Sequence, residues 1–180
     1  MLGLINGDRL NPANEAETQG RAPALRWNTK LAAVARAHSE DMLRRGFFAH
    51  INPEGKSPGQ RVEAAGIPWQ AEGENIAIYR SVAWAQRAFM NEPHFEPNHR
   101  TNILNHKYTE VGVGIVRGPD GMYYITQEFI ETPAGSSPAE AGASQNAEAL
   151  PAALSLSNTS ANVMLPTYRW ARRRRDWRTP

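Results

Sequence analysis

Apolar positions recur at helical spacing in two stretches of this chain and at strand spacing in three others. After Asn28, a residue suited to cap a helix, Leu31, Val34, Ala35, His38 and Met42 fall on one face, and Gly46 ends the run. Val82, Ala85, Ala88 and Phe89 mark a second helix from about Ser81 to Glu92, closed by Pro93. LINGDRLN opens a short helix near the start, and the polar NPANEAETQGRAP after it reads as a loop. Strand alternation places Glu74, Ile76 and Ile78 on one face of a short strand after Gly73, and Val111, Val113 and Ile115 on one face of another. MYYITQEFI is rich in aromatic and β-branched residues, and the turn signal GPDG before it predicts an antiparallel hairpin over 110–130. The glycines of EVGVGIV read as strand positions that permit close packing. Helices first and strands mixed in later indicate an α+β layer or sandwich.

Composition changes near residue 133. From Pro133 to Thr167 there is no aromatic residue, lysine or arginine, so this stretch buries too little to offset the entropy of ordering it. The expected organisation is a domain over 1–132, a low-complexity linker over 133–168 and a flexible basic end over 169–180. The net charge of +2 conceals that asymmetry: residues 169–178 carry +5, centred on Arg172, Arg173, Arg174 and Arg175, and the preceding 168 residues sum to −3. Trp170 and Trp177 flank the arginines. A solvated end is the simpler reading of this segment, with contact to an anionic envelope next and nucleic acid disfavoured. Deleting 133–180 would abolish surface attachment only if the basic end carries it.

The 180 residues hold no cysteine, which excludes disulfides, thiolate metal sites and a cysteine nucleophile without deciding the compartment. No run approaches the ~18 uncharged apolar residues of a membrane helix. MLGLINGDRL turns polar too soon for a signal peptide, which leaves secretion with a removed leader open. Ser57 in GKSPG lacks a nucleophile-elbow context, and no phosphate-binding loop is present.

The chemistry-bearing residues concentrate in MNEPHFEPNHRTNIL, where Glu92, His94, Glu96 and His99 lie within eight positions. Glu92 continues the apolar face of its helix at the C-terminal end, where an unpaired carboxylate is disfavoured by burial and by the helix dipole. A cation, a metal or a protonated histidine would resolve that conflict, and so would a solvated last turn. Glu74 poses the same question among Ile76 and Ile78. His50 follows FFA just after a helix stop, where a packed turn aims a side chain into a cleft or leaves it on a loop. His38, on an apolar stripe, reads as a core or boundary histidine with one hydrogen bond.

The succession LINGDR, LAAVARAHSEDMLRRGFFAH, GENIA, FMNE, NHRTNIL and YTEVGVGIV resembles the CAP superfamily, the SCP-like domains of cysteine-rich secretory, antigen 5 and pathogenesis-related proteins. The match covers about residues 2–131, and the absence of cysteine is similar to the bacterial branch. The resemblance implies a three-layer α-β-α sandwich with a central antiparallel sheet, and a cleft holding two histidines and two glutamates. His50 and His99 match the histidines; Glu74 and Glu92 match the acids. Bacterial relatives have a shorter link before the second histidine. The longer MNEPHFEPNH brings in His94 and Glu96 as rim residues, with Glu96 as the alternate acid should Glu92 not enter the cleft.

In the family the two histidines hold a divalent metal, often zinc. Two imidazoles fall short of the three protein ligands usual in catalytic zinc sites, so the expected site is weak and exchangeable. The expected function is an extracellular or envelope-located, non-enzymatic module binding a peptide, carbohydrate or small apolar ligand in or beside the cleft. The alternatives are a metal-dependent hydrolase using Glu74 and Glu92 as proton acceptors, and an envelope tether acting through the basic end.

Overall fold

The computed structural model describes residues 1–134. The expected linker beyond its first two residues, and the whole arginine-rich segment with Arg172–Arg175, lie outside the described residues.

Helix α1 spans Leu2–Leu10. The stretch expected as a polar loop instead forms a 3₁₀ turn at Pro12–Asn14 and a short helix α2 at Glu15–Thr18. Asn11 caps that turn by accepting from the Ala13 N–H at 3.0 Å, a local device that apolar periodicity does not register. Strand β1 is Arg26–Trp27, and α3 runs over Thr29–Arg45. The Asn28 side chain accepts from the Leu31 N–H at 3.0 Å, and Gly46 closes the helix in the left-handed region at φ 67°. Asn28 also donates to Glu110 at 2.7 Å. Asn28→Ala is therefore expected to cost about 1–2 kcal/mol in urea unfolding, the upper part of the range for a lost cap.

Helix α4, Pro58–Ala64, was not visible in the apolar pattern because seven residues are too few to show a period. Its signal is the capping box, in which Ser57 and Gln60 satisfy each other's backbone N–H groups. Strand β2 follows at Ala71–Tyr79, then α5 at Val82–Met90 and α6 at His99–Leu104. Helix α5 ends at Met90, so Glu92 stands in the turn beyond it rather than on the last helical turn. The hairpin is β3, Glu110–Arg117, and β4, Tyr123–Glu131.

The sheet order is β1-β3-β4-β2, antiparallel except that the short β1 pairs parallel with β3. On one face, Ile5 of α1, Ala85 and Phe89 of α5 and Ile103 and Leu104 of α6 pack with Val111, Ile125 and Phe129. On the other, Leu31 of α3 and Val62 of α4 pack with Ile67 and Ile130. The architecture is thus an α-β-α sandwich, and burial on both faces explains why strand alternation is blurred. Gly112 and Gly114 face α3, where an added Cβ would stand 2.2 Å from helix backbone atoms. Register places Glu74 of β2 opposite Glu128 of β4, on the α3–α4 face. As the sheet's edge strand, β2 lies between the two helical layers.

Candidate functional site

The first half of the site is built around Glu74. Its side chain is 1% exposed. The Glu74 carboxylate accepts from His50 Nδ1 at 2.7 Å and from the Arg61 guanidinium. Arg61 reaches down from α4 and also donates to the carbonyl of His50 at 2.7 Å. His38 Nε2 lies 3.1 Å from the Ala49 carbonyl; since a carbonyl only accepts, that nitrogen carries the proton. The backbone on both sides of His50 is thereby fixed. Burial by itself raises the pKa of Glu74, but the His50 hydrogen bond and the Arg61 charge outweigh it and hold the carboxyl below its ordinary range. Burial lowers the pKa of His38 despite the nearby Glu74 charge, so this imidazole stays neutral.

The second half joins α6 to the turn after α5. Glu92 accepts from His99 Nδ1 at 2.6 Å through one oxygen and from the His99 N–H at 2.8 Å through the other. The Phe89 ring supports the imidazole at a centroid distance of 4.7 Å. Asn98 caps α6, accepting from the Thr101 N–H at 3.0 Å, while Asn75 of β2 donates to the His99 carbonyl at 3.1 Å. The polarity of Glu92 at the end of an apolar face is accounted for by these two donors.

His50, Glu74, Glu92 and His99 line one cleft of about 500 Å³, together with Pro97, Asn98, Thr101 and Asn102. Asn102 donates to the Glu74 carbonyl at 3.3 Å and so ties α6 to β2 across the cleft floor. Each histidine is engaged through Nδ1 by a carboxylate, which fixes the tautomer and leaves Nε2 as the lone-pair nitrogen. This carboxylate–imidazole arrangement is the one that orients histidine ligands in metal sites. Among the described residues, no group of three or more histidine, cysteine, aspartate or glutamate side chains is placed to hold a metal. The donor set here is two imidazoles.

The longer link holds different company. His94 pairs with Glu17 of α2 at 2.8 Å, and Glu17 also takes Arg100 of α6 at 2.6 Å. Glu96 is exposed, and its backbone carbonyl accepts from the Thr101 hydroxyl. Neither His94 nor Glu96 is among the residues lining the cleft. Phe95 between them is 72% exposed and adopts a left-handed φ of 61°.

Sequence reasoning missed Arg61, Glu72 and Glu128. Glu128 is fully buried, and Arg61 stands 3.5 Å from it. Burial, reinforced by the Glu74 charge, raises the carboxyl of Glu72 above its ordinary range. Signals existed: Glu128 breaks the apolar run of β4, and Arg61 follows the Ser57–Gln60 capping box by one residue. Nothing in either pattern tells that the two side chains meet.

The family model described as the cysteine-rich secretory protein family, CAP, matches residues 2–129. The chain is 37% identical over 117 residues to the uncharacterized protein YkwD of Bacillus subtilis, covering 64% of this chain and 42% of that protein. It is 37% identical over 108 residues to the uncharacterized membrane protein YlbC of the same organism, covering 59% of this chain and 29% of YlbC. The chain therefore spans less than half the length of either relative. An extracellular protein containing an SCP domain from Bacillus anthracis has a similar structure, with a TM-score of 0.54 at 33% identity, over 66% of this chain and 37% of that one. An outer surface protein of Borrelia burgdorferi has the same fold, with a TM-score of 0.59 at 16% identity, over 73% and 90% of the two chains. With its sandwich fold and a family match over residues 2–129, the chain belongs to the CAP, or cysteine-rich secretory protein, family.

Proposed function

We propose that this chain is an extracellular or envelope-located binding module whose His50 and His99 hold a divalent cation, zinc first, weakly and exchangeably beside a ligand cleft. The observation that carries this reading is the pairing of each imidazole with its own carboxylate through Nδ1, which leaves both Nε2 atoms available on one cleft. Two neutral imidazoles suit zinc, and water would complete the coordination. A bound cation would supply Lewis acidity in the cleft. His50 and His99 would hold it, while Glu74 and Glu92 keep the rings in register.

Binding is favoured over hydrolysis by how the carboxylates are used. Glu74 has one oxygen on His50, the other on Arg61, and no access to solvent. Glu92 commits both oxygens to His99. Neither is a free proton acceptor of the kind a general base requires. The location rests on the Bacillus anthracis relative, described as extracellular. Among the described residues no helix is long and apolar enough to cross a membrane.

Zinc titration by calorimetry at neutral pH tests the reading. Uptake of roughly one zinc per chain is expected for the wild type, with loss of that uptake in the His50→Ala/His99→Ala double variant. Undiminished uptake in the double variant would move the site elsewhere; no uptake by the wild type would leave the four residues as a structural network.

A further inference from the structure

Glu74 and Glu128 are register partners on β2 and β4, so their carboxyls stand side by side on the face that α3 and α4 cover. Their side chains are 1% and 0% exposed. Two buried carboxylates directly across a strand pair repel one another, and the low dielectric of the interior magnifies the repulsion. The groups facing the pair compensate Glu74 and leave Glu128 short. Arg61 from α4 is the permanent cation, shared between Glu74 and Glu128. His38 from α3 points its N–H at the Ala49 carbonyl and lies 3.9 Å from Glu74. Glu72, earlier on β2, adds a third acid, and His50 engages the Glu74 oxygen that Arg61 does not.

Two buried carboxylate oxygens here lack a donor among the described residues, Oε2 of Glu72 and Oε2 of Glu128, and the second belongs to the register pair. A buried carboxylate oxygen without a donor carries an unrecovered desolvation penalty. A carboxylic acid at the same place is itself a donor, with the Glu74 carboxylate as its neighbouring acceptor. Protonation would satisfy the orphaned group and remove the like-charge contact together.

We propose that Glu128 is a neutral carboxylic acid whose O–H donates a hydrogen bond to the Glu74 carboxylate, and that this bond positions the carboxylate holding the His50 ring. Burial and the Glu74 charge both push Glu128 well above the ordinary carboxyl range, in agreement with the geometry. Glu128 touches neither His50 nor the cleft, so it acts as a positioning residue through Glu74. Its consequence for a bound cation rests on the zinc-holding reading given above; its protonation does not.

Two substitutions in the full chain separate the possibilities. Glu128→Gln keeps a neutral donor of the same shape, and Glu128→Leu keeps the volume without the donor. Infrared difference spectra of wild type against Glu128→Gln at neutral pH are expected to contain a carboxylic-acid C=O stretch that shifts in heavy water. Absence of that band overturns the proposal. The His50 Nδ1 proton resonance is expected in wild type and in Glu128→Gln, and broadened by exchange in Glu128→Leu. Equal sharpness in all three would overturn the positioning role. Zinc affinity is expected to stay within about twofold in Glu128→Gln and to fall about tenfold in Glu128→Leu, the usual size of an outer-sphere effect. If the wild type takes up no zinc, the cation reading fails, and the infrared and proton resonances still decide this one. Should Glu128→Leu not fold, Glu128→Gln and the infrared band decide alone.

Discussion

Arg61→Ala is expected to cost about 3–5 kcal/mol at neutral pH, the range for removing one partner of a buried ion pair. The guanidinium is largely buried and serves the Glu74 carboxylate, the Glu128 carboxyl and the His50 and Lys56 carbonyls at once. Without it, Glu74 is left ionised in the interior with only His50 and Glu128 to compensate. The pH dependence carries the diagnosis. Glu74 has a folded pKa below its ordinary 4.5, so its contribution is present above that value and is lost as pH falls through the folded pKa. The Arg61→Ala deficit should therefore be greatest near neutrality and should shrink in acid, where Glu74 takes a proton instead. Glu128 has the opposite sign. Its folded pKa is raised well above 4.5, so its contribution is complete below that value and fades as pH rises toward the folded pKa. Urea unfolding of wild type and variant across the acid-to-neutral range measures both slopes. A deficit below about 1 kcal/mol, independent of pH, would mean that the cluster is solvated like a surface ion pair.

The second large effect is steric. Gly112→Ala would place a methyl group 2.2 Å from the Ala32 nitrogen and the Leu31 carbonyl carbon. Both obstacles are backbone of α3, so no side-chain rotation relieves the contact, and strand or helix has to move. Overpacking of a well-filled core typically costs about 1–3 kcal/mol, and a backbone obstacle places this case at about 3 kcal/mol or more. Because α3 also anchors Ala49 through His38, a displaced helix should loosen His50 as well. Thermal unfolding of Gly112→Ala reads the cost. A melting temperature equal to that of the wild type would show that α3 packs farther from the sheet than these distances state.

Much of the frame is legible without a structure because its signals are local. The Asn28 cap and the Gly46 stop act within one helical turn, and the period of Leu31, Ala35, His38 and Met42 is carried by consecutive turns. The hairpin follows from two strand-like runs joined by a tight turn, and the close approach at Gly112 from a glycine inside a strand. Helices α4 and α6 escaped the apolar pattern because seven and six residues show no period; their evidence is in caps. The resemblance to a known family named His50, Glu74, Glu92 and His99, and the spacing of Glu92 and Glu96 left their roles undivided.

By itself, then, the sequence determined the limits of α3, the hairpin and the family, and the family resemblance singled out four residues. The tertiary structure decided what each of them touches. His50 meets Glu74 across 24 residues, and Arg61 meets Glu128 across 67. Contacts at such separations depend on strand register and layer packing, and a register shift of one residue would turn Glu128 to the opposite face. That is why a glutamate in the middle of YYITQEFIE reads as an irregularity in the chain and becomes, once β4 lies beside β2, the partner of Glu74.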